Sequence, residues 1–285
     1  AEAAAFGGGG CYAPTAFTEG AAQAIAVMNE FFRKNEPLYV GKYPFGQVAV
    51  LGFALPSYFG DRQAYANTAS VLGVLMDAGL LADIVPERVF SLQWLSRWPM
   101  VVVPGVRYLA DAQLQTLLAY TQAGGKLILA GSDNGVYDQL GRSRPAEALQ
   151  ALRAAAAADV GQELDALVQP GGLLDGQGIC QTTPNMRVRF AAWVDHPERP
   201  AEIILHAVNY DVHLGTAHDR VGEMSDLALR VPLPAGARAA RATVYAPGEA
   251  PQELAVSNDQ GRAVLTLPHL KVYAVVRIDL QRGEG

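Results

Sequence analysis

The segments MVVVPG at residues 100–105 and DAQLQTLLAYTQAGGKLILA at residues 111–130 determine the fold class. The first begins with an unbroken apolar run, which is typical of a strand buried on both faces of a parallel sheet. The second begins with leucines at helical spacing, is interrupted by Gly124-Gly125 and ends in another apolar run. The two glycines are typical of a helix C-terminus, so this part of the chain predicts a strand, a helix and a second strand.

The same alternation extends toward the N-terminus. Residues 48–51 and 82–85 predict two further strands, and apolar residues 71–76 predict a helix between them that ends at Gly79. Four strand–helix units predict an α/β domain with an open, doubly wound parallel sheet and helices on both faces.

The flanking sequences differ in character. Residues 18–34 have the spacing of an amphipathic helix before Pro37, whereas short β-type runs replace helical periodicity beyond Asn185. A Gly- and Pro-rich stretch at residues 169–183 is typical of an interdomain connection. We therefore predict an N-terminal helical segment at 1–44, an α/β domain at 45–175 and an all-β sandwich domain at 176–285.

Composition narrows the classes of partner. The chain has 285 residues, 18% charged residues and a formal net charge of -6, which argues against nucleic acid and anionic membranes as partners. No apolar run approaches the length of a membrane-spanning helix. Cys11 and Cys180 are compatible with one disulfide or with two free thiols. Free thiols and the lack of a basic N-terminal region favour a cytoplasmic protein, although secretion of a longer parent chain stays open.

A ligand would bind beyond the carboxyl ends of the parallel strands, where loops meet in this fold. The loops at residues 53–61, 105–108 and 131–135 are predicted there. Their candidate ligand-binding residues are Arg107, Ser132, Asp133 and Asn134. The alternative interpretation is a salt bridge between Arg107 and Asp133 or a loop-capping aspartate.

The segment Gly131-Ser132-Asp133-Asn134-Gly135 has the G-x-X-x-G spacing by which hydrolases expose a nucleophile after a strand. Aspartate in the central position gives no acyl-enzyme of the usual kind, so we predict no catalytic residue. His196-Pro197-Glu198 matches a histidine–glutamate pair of amidotransferases but falls in a predicted turn of the β domain.

No cofactor or metal is predicted. His206, His213 and His218 have no metal-site spacing, and Gly7–Gly10 lacks the Lys-Ser/Thr of a phosphate-binding loop. Five aromatic residues offer either core packing or a sugar-stacking surface, namely Tyr58, Phe59, Trp94, Trp98 and Tyr108.

The order of these segments resembles the C-terminal portion of bacterial glycoside hydrolases similar to the family 42 β-galactosidases. The resemblance is carried by residues 100–105 and 111–130, by LHAVNYD at 205–211, by VPLP at 231–234 and by LPHLKVY at 267–273. It implies a flavodoxin-like domain similar to class I glutamine amidotransferases, followed by a small β domain.

The resemblance also implies that the catalytic glutamates lie on a barrel missing from this chain, with residues 1–44 as the exit from that barrel. It implies a homo-oligomer formed through the α/β domain and a carbohydrate ligand. We therefore expect a non-catalytic assembly or accessory module of a carbohydrate-active protein. The alternative is a degenerate glutamine amidotransferase-like hydrolase or a small-molecule sensor that uses the crevice.

Overall fold

The computed structural model of the protein describes residues 2–6, 19–131, 133–161, 163–180, 188–213 and 220–282. The chain divides into two compact units. The α/β unit comprises residues 46–178, and the β unit comprises residues 1–45 together with residues 179–285. The α/β unit is therefore an insertion in the sequence of the β unit.

The elements are numbered along the chain within the described residues. The α-helices are α1 (Glu2–Ala5), α2 (Glu19–Lys34), α3 (Leu55–Tyr58), α4 (Gln63–Asp77), α5 (Leu92–Leu95), α6 (Asp111–Gln122) and α7 (Ala146–Ala155). Short 3-10 helices span Glu36–Leu38, Glu87–Val89 and Leu164–Leu167. The strands of the α/β unit are β2 (Val48–Gly52), β3 (Ala82–Pro86), β4 (Met100–Pro104), β5 (Lys126–Ala130) and β6 (Ala158–Gly161), and β1 (Tyr43–Pro44) precedes them in the β unit.

The later strands all belong to the β unit. They are β7 (Val188–Val194), β8 (Glu202–Asn209), β9 (Val212–His213), β10 (Arg220–Val221), β11 (Met224–Pro232), β12 (Ala237–Tyr245), β13 (Gln252–Leu254), β14 (Val256–Asp259), β15 (Arg262–Leu270) and β16 (Tyr273–Arg282).

The α/β unit is built on a five-stranded sheet in the order β3-β2-β4-β5-β6. Every pairing in it is parallel, which confirms the predicted sheet. The central strand β4 is buried along its whole length. Val101 and Val103 pack in one apolar core while Met100 and Val102 pack in the other, because successive side chains point to opposite faces. The unbroken apolar run is thus required by two cores.

The β unit contains a six-stranded sheet in the order β1-β7-β8-β16-β12-β13 and a three-stranded sheet in the order β11-β15-β14. All pairings in these sheets are antiparallel, and the predicted sandwich is confirmed. Phe31 of α2 and Ala5 of α1 lie in one apolar cluster with Ile204, Tyr273 and Val275. The N-terminal helices therefore pack on strands β8 and β16.

A buried polar chain passes through this cluster. Nδ1 of His206 lies 2.6 Å from the hydroxyl oxygen of Tyr273, which is 3.0 Å from the hydroxyl oxygen of Tyr39. His206 is 1% exposed, and the loss of hydration lowers its pKa to about 3. Burial also raises the pKa of Tyr273 and of Tyr39. All three side chains are therefore held in their neutral forms at neutral pH.

No helix in the described part of the chain has the length and apolar character needed to cross a membrane. Cys180 is buried at the start of the second segment of the β unit, and burial raises the pKa of its thiol. Cys11 lies outside the described residues, so the structure does not test a bond between the two cysteines.

Candidate functional site

The carboxyl ends of β4, β5 and β6 form the floor of a crevice in the α/β unit. Pro104 pairs with Ala130, and Ala130 pairs with Gly161, so the residues that follow these strands lie side by side. Gly105 and Gly131 both have positive φ, at 64° and 92°. A Cβ atom on Gly131 would lie 2.9 Å from the Cα atom of Gly105. The close approach of the two loops leaves no room for side chains, and the space above them stays open.

This open space is a cavity of about 360 Å³. One wall is a polar stripe of α4 formed by Gln63, Asn67 and Ser70, which recur at helical spacing on one face. The amide nitrogen of Gln63 donates a hydrogen bond of 3.0 Å to the side-chain oxygen of Asn67. Asn67 in turn lies against Gly105, whose carbonyl oxygen is 3.5 Å from the Asn67 amide nitrogen. The stripe is therefore anchored to the floor of the cavity.

The cavity is also lined by Arg107 and Asp133, the only charged side chains among its described lining residues. Nε of Arg107 lies 3.8 Å from Oδ2 of Asp133. This distance permits an ion pair but exceeds that of a hydrogen bond. Nε is buried and makes no hydrogen bond to any described residue. The predicted salt bridge and the predicted crevice residues are thus found in the same place.

Aromatic rings support Arg107 from the side away from the cavity. Its guanidinium carbon lies 5.3 Å from the ring centre of Tyr137, within the range of cation–π attraction. Tyr137 stacks on Tyr108 at 4.9 Å, and Tyr108 stacks on Phe59 at 4.5 Å. The stacked rings thus give the guanidinium an aromatic neighbour on which to rest.

The other two candidate ligand-binding residues are Asn134 and Ser132. Asn134 is buried, accepts a hydrogen bond from the Val106 backbone at 2.8 Å, and donates one to the Gly131 carbonyl at 2.8 Å. It fixes the two loops to each other. Ser132 lies outside the described residues. Whether any of the four candidate residues binds a ligand stays a prediction.

The aromatic residues named from the sequence divide between two places. Trp98 is buried and Trp94 packs against the same core, so both belong to the interior of the α/β unit. Phe59 and Tyr108 join the stack beside the cavity, and Tyr58 is 82% exposed.

The histidine motifs are structural in the described residues. Nδ1 of His196 accepts hydrogen bonds from the backbone amides of Glu198 and Arg199 at 3.2 and 3.1 Å, which caps the turn between β7 and β8. His206 is the buried core histidine of β8. His218 lies outside the described residues. Within the described part of the chain, no group of three or more potential ligands is arranged to hold a metal ion.

Two contributions to the site have no motif in the sequence. The polar stripe of α4 looks like any solvated helix face, although its spacing and its place after the first parallel strand are visible signals. Arg144 is the second contribution, because its guanidinium donates to the carbonyl oxygens of Gly135, Tyr137 and Leu109 at 3.0, 2.6 and 2.7 Å. It ties the loop after β5 to the loop after β4 and so positions the loops that carry Asp133 and Arg107.

A second cavity, of about 520 Å³, lies in the β unit between α2 and residues 245–251. Its two charged residues on α2, Glu30 and Lys34, are an exposed i,i+4 pair at 2.8 Å. Such pairs contribute little and are satisfied by each other. The crevice of the α/β unit is therefore the better candidate.

Comparison with known proteins identifies the fold. No protein-family model and no curated protein matches the chain. Among solved structures, α-L-fucosidase isoenzyme 2 from Paenibacillus thiaminolyticus matches 93% of this chain and 53% of its own, with 14% identity and a TM-score of 0.59. The β-galactosidase from Bacillus circulans sp. alkalophilus matches 90% and 45%, with 9% identity and a TM-score of 0.58.

A catalytic mutant of a GH42 β-galactosidase from G. stearothermophilus matches 92% of this chain and 44% of its own, with 12% identity and a TM-score of 0.53. The sequence resemblance to family 42 β-galactosidases is thus confirmed at the level of the fold. The chain spans about half the length of these glycoside hydrolases.

Proposed function

We propose that the chain is a non-catalytic assembly and accessory module of a glycoside hydrolase-like protein. The observation that carries this proposal is Asp133 at the centre of the turn after β5, where a hydrolase of this topology would expose its nucleophile. Asp133 lies 3.8 Å from the Arg107 guanidinium, and a carboxylate there forms no acyl-enzyme of the usual kind.

The second support is the absence of a catalytic base in the histidine–glutamate motif. The ring nitrogen of His196 that would take part in such a pair already accepts two backbone hydrogen bonds. A nucleophile needs a base within hydrogen-bond reach. The motif is therefore better explained as a turn than as part of a triad.

The fold gives the third support. Glycosidic hydrolysis requires two carboxylates that flank the scissile bond, and the three solved structures compared above are glycoside hydrolases about twice as long as the chain. We infer that the glycosidic chemistry belongs to a part of the parent protein other than residues 1–285.

We expect the purified chain to hydrolyse neither aryl β-galactosides, aryl α-L-fucosides nor glutamine, because the described residues that line the crevice include no nucleophile paired with a base. Release of the aryl alcohol and of ammonia would be followed at the highest protein concentration attainable. Turnover that disappears in the variant Asp133→Ala or Cys11→Ser would contradict the proposal, since it would identify a nucleophile.

Association through the α/β unit is the other part of the proposal. Tyr58 and Leu140 are 82% and 58% exposed. Phe59 follows Tyr58 in the chain and is 42% exposed, and its ring is 3.1 Å from the position of a Cβ atom on Gly141, the residue after Leu140. We call Tyr58, Phe59 and Leu140 the apolar patch. Exposed aromatic and aliphatic side chains grouped in this way are typical of protein interfaces.

We expect sedimentation velocity to show self-association that the double variant Tyr58→Ser, Leu140→Ser weakens by about tenfold or more, since loss of an aromatic interface residue such as Tyr58 costs at least about 1.4 kcal/mol. Val40 is 64% exposed in the β unit, and Val40→Ser provides the matched control. A strictly monomeric wild-type chain at high concentration would contradict the assembly role.

The cavity itself favours a second candidate function, a small-molecule sensor. It supports binding without chemistry, since its described lining residues supply hydrogen-bonding groups and include no nucleophile paired with a base.

A further inference from the structure

We propose that the crevice of the α/β unit binds a neutral, polyhydroxylated ligand of monosaccharide size. Binding at this site does not require self-association, because the cavity is formed within one copy of the chain. The site consists of the α4 stripe (Gln63, Asn67, Ser70) together with the pair Arg107 and Asp133.

The dimensions of the cavity set the size of the ligand. Its volume is about 360 Å³, near the lower end of the range of about 300 to 1,000 Å³ seen for small-molecule sites. Gly105 and Gly131 form the floor of the cavity without side chains. A Cβ atom on Gly105 would meet Asn67, and one on Gly131 would meet the backbone of Gly105. A single sugar ring is a suitable occupant, and an oligosaccharide would extend into solvent.

The α4 stripe provides the pattern of hydrogen bonds that hydroxyl groups need. Each side-chain amide of Gln63 and Asn67 has two donors and an acceptor, and the hydroxyl of Ser70 both donates and accepts. The mutual hydrogen bond between Gln63 and Asn67 fixes the amide planes. Because a sugar hydroxyl is also both donor and acceptor, it pairs with such a wall without leaving a polar group unsatisfied.

The charged pair determines the charge of the ligand. The gap of 3.8 Å between Nε of Arg107 and Oδ2 of Asp133 is too long for a direct hydrogen bond. A ligand hydroxyl beside the pair accepts from the exposed part of the guanidinium and donates to the carboxylate, since the side chains of Arg107 and Asp133 are 39% and 56% exposed. A carboxylate or phosphate would gain the guanidinium but meet the like charge of Asp133. The pair therefore favours a neutral hydroxyl over an anion.

The guanidinium is also pre-positioned. Its contact with the Tyr137 ring, which stacks on Tyr108 and through it on Phe59, restrains its motion. A fixed side chain loses less rotational freedom when the ligand binds. A restrained guanidinium therefore favours binding of a small ligand that makes only a few contacts.

The test is a titration of the purified chain with D-galactose, L-fucose and sodium acetate, followed by calorimetry and by saturation-transfer NMR. We expect at least one of the sugars to bind with a dissociation constant of about 1 mM, and acetate not to compete. The variants Asn67→Leu, Arg107→Leu and Ser70→Leu should each weaken sugar binding by about tenfold, because each removes hydrogen bonds at the site.

Gln115 is exposed on α6 and outside the cavity, so Gln115→Leu is the matched control and should bind as the wild type does. Ser70 is exposed, so Ser70→Leu keeps the test valid even if another variant melts early. Sugar binding that all three variants leave unchanged would overturn the proposed site. Acetate binding without sugar binding would overturn the ligand class, and so would the absence of sugar binding at about 100 mM.

Discussion

Acidification from about pH 7 to about pH 4 will lower the free energy of unfolding of the β unit by roughly 3 kcal/mol through His206 alone. Burial lowers the pKa of His206 from 6.5 to about 3. Between these two values the unfolded chain binds a proton that the folded chain excludes, so stability is present above about pH 6.5 and is lost as the pH falls toward about 3. The effect is large because charging the imidazole would place a cation among Phe31, Tyr273 and the β8 and β16 side chains.

The measurement is urea unfolding over this pH range with fluorotryptophan as the reporter. Trp193 lies in the β unit and Trp94 and Trp98 lie in the α/β unit, so separate fluorine resonances follow the two units. His206→Gln should remove most of the acid sensitivity at Trp193. His196→Gln makes the same change at an exposed turn and should leave the sensitivity as it is. Equal pH dependence in wild type and His206→Gln would show that the buried histidine is not the cause.

The α/β unit should respond to pH in the opposite direction through Asp83. Burial raises the pKa of Asp83 from 3.8 to about 6, against the opposing effects of the Trp98 hydrogen bond and the Arg97 charge. Nε1 of Trp98 donates to Asp83 at 2.8 Å, and Gly46 closes over the carboxyl because it lacks a Cβ atom, which would lie 2.2 Å from Oδ2. The folded chain holds a proton that the unfolded chain releases between these pKa values. Stability is therefore present below about pH 4 and is lost as the pH rises through about 6.

We expect Asp83→Asn to raise the free energy of unfolding of the α/β unit by roughly 2 kcal/mol near pH 8, a value reduced for the partial exposure of this side chain. The asparagine oxygen still accepts from Trp98, and the cost of burying a charge disappears. Asp159→Asn on the edge strand β6 is the matched control, because that carboxyl is exposed. A loss of stability in Asp83→Asn at this pH would mean that the charge itself is needed.

The parallel sheet was predictable because a strand covered on both faces needs apolar side chains at every position. Residues 100–103 are apolar without interruption, and both cores require this. Strand β6 was not predicted, since Ala158-Asp159-Val160-Gly161 pairs on one side only and has a single strongly β-forming residue. Edge strands depend on backbone pairing with a neighbour, which leaves little trace in their composition.

The candidate site likewise contains residues that the sequence predicts and residues that it does not. Arg107 and Asp133 were predicted because loops after parallel strands converge at one edge of the sheet. Gln63, Asn67 and Ser70 were missed, because the polar face of a helix usually contacts water and only the fold shows that this one faces a cavity. Helix α2 gives a related case: its periodicity reveals an apolar face, but sequence alone cannot show that β8 and β16 cover it.

The insertion of the α/β unit has a consequence for the order of events during synthesis. Residues 46–178 are contiguous and complete their sheet with local strand–helix–strand contacts, so this unit can fold as soon as it leaves the ribosome. Helix α2 cannot pack on β16 until that strand is translated, because Tyr273 and Val275 follow the helix by more than two hundred positions. Contacts so distant in sequence form slowly. Until β16 is translated, the apolar face of α2 stays uncovered, and nascent chains should depend on chaperones during that interval.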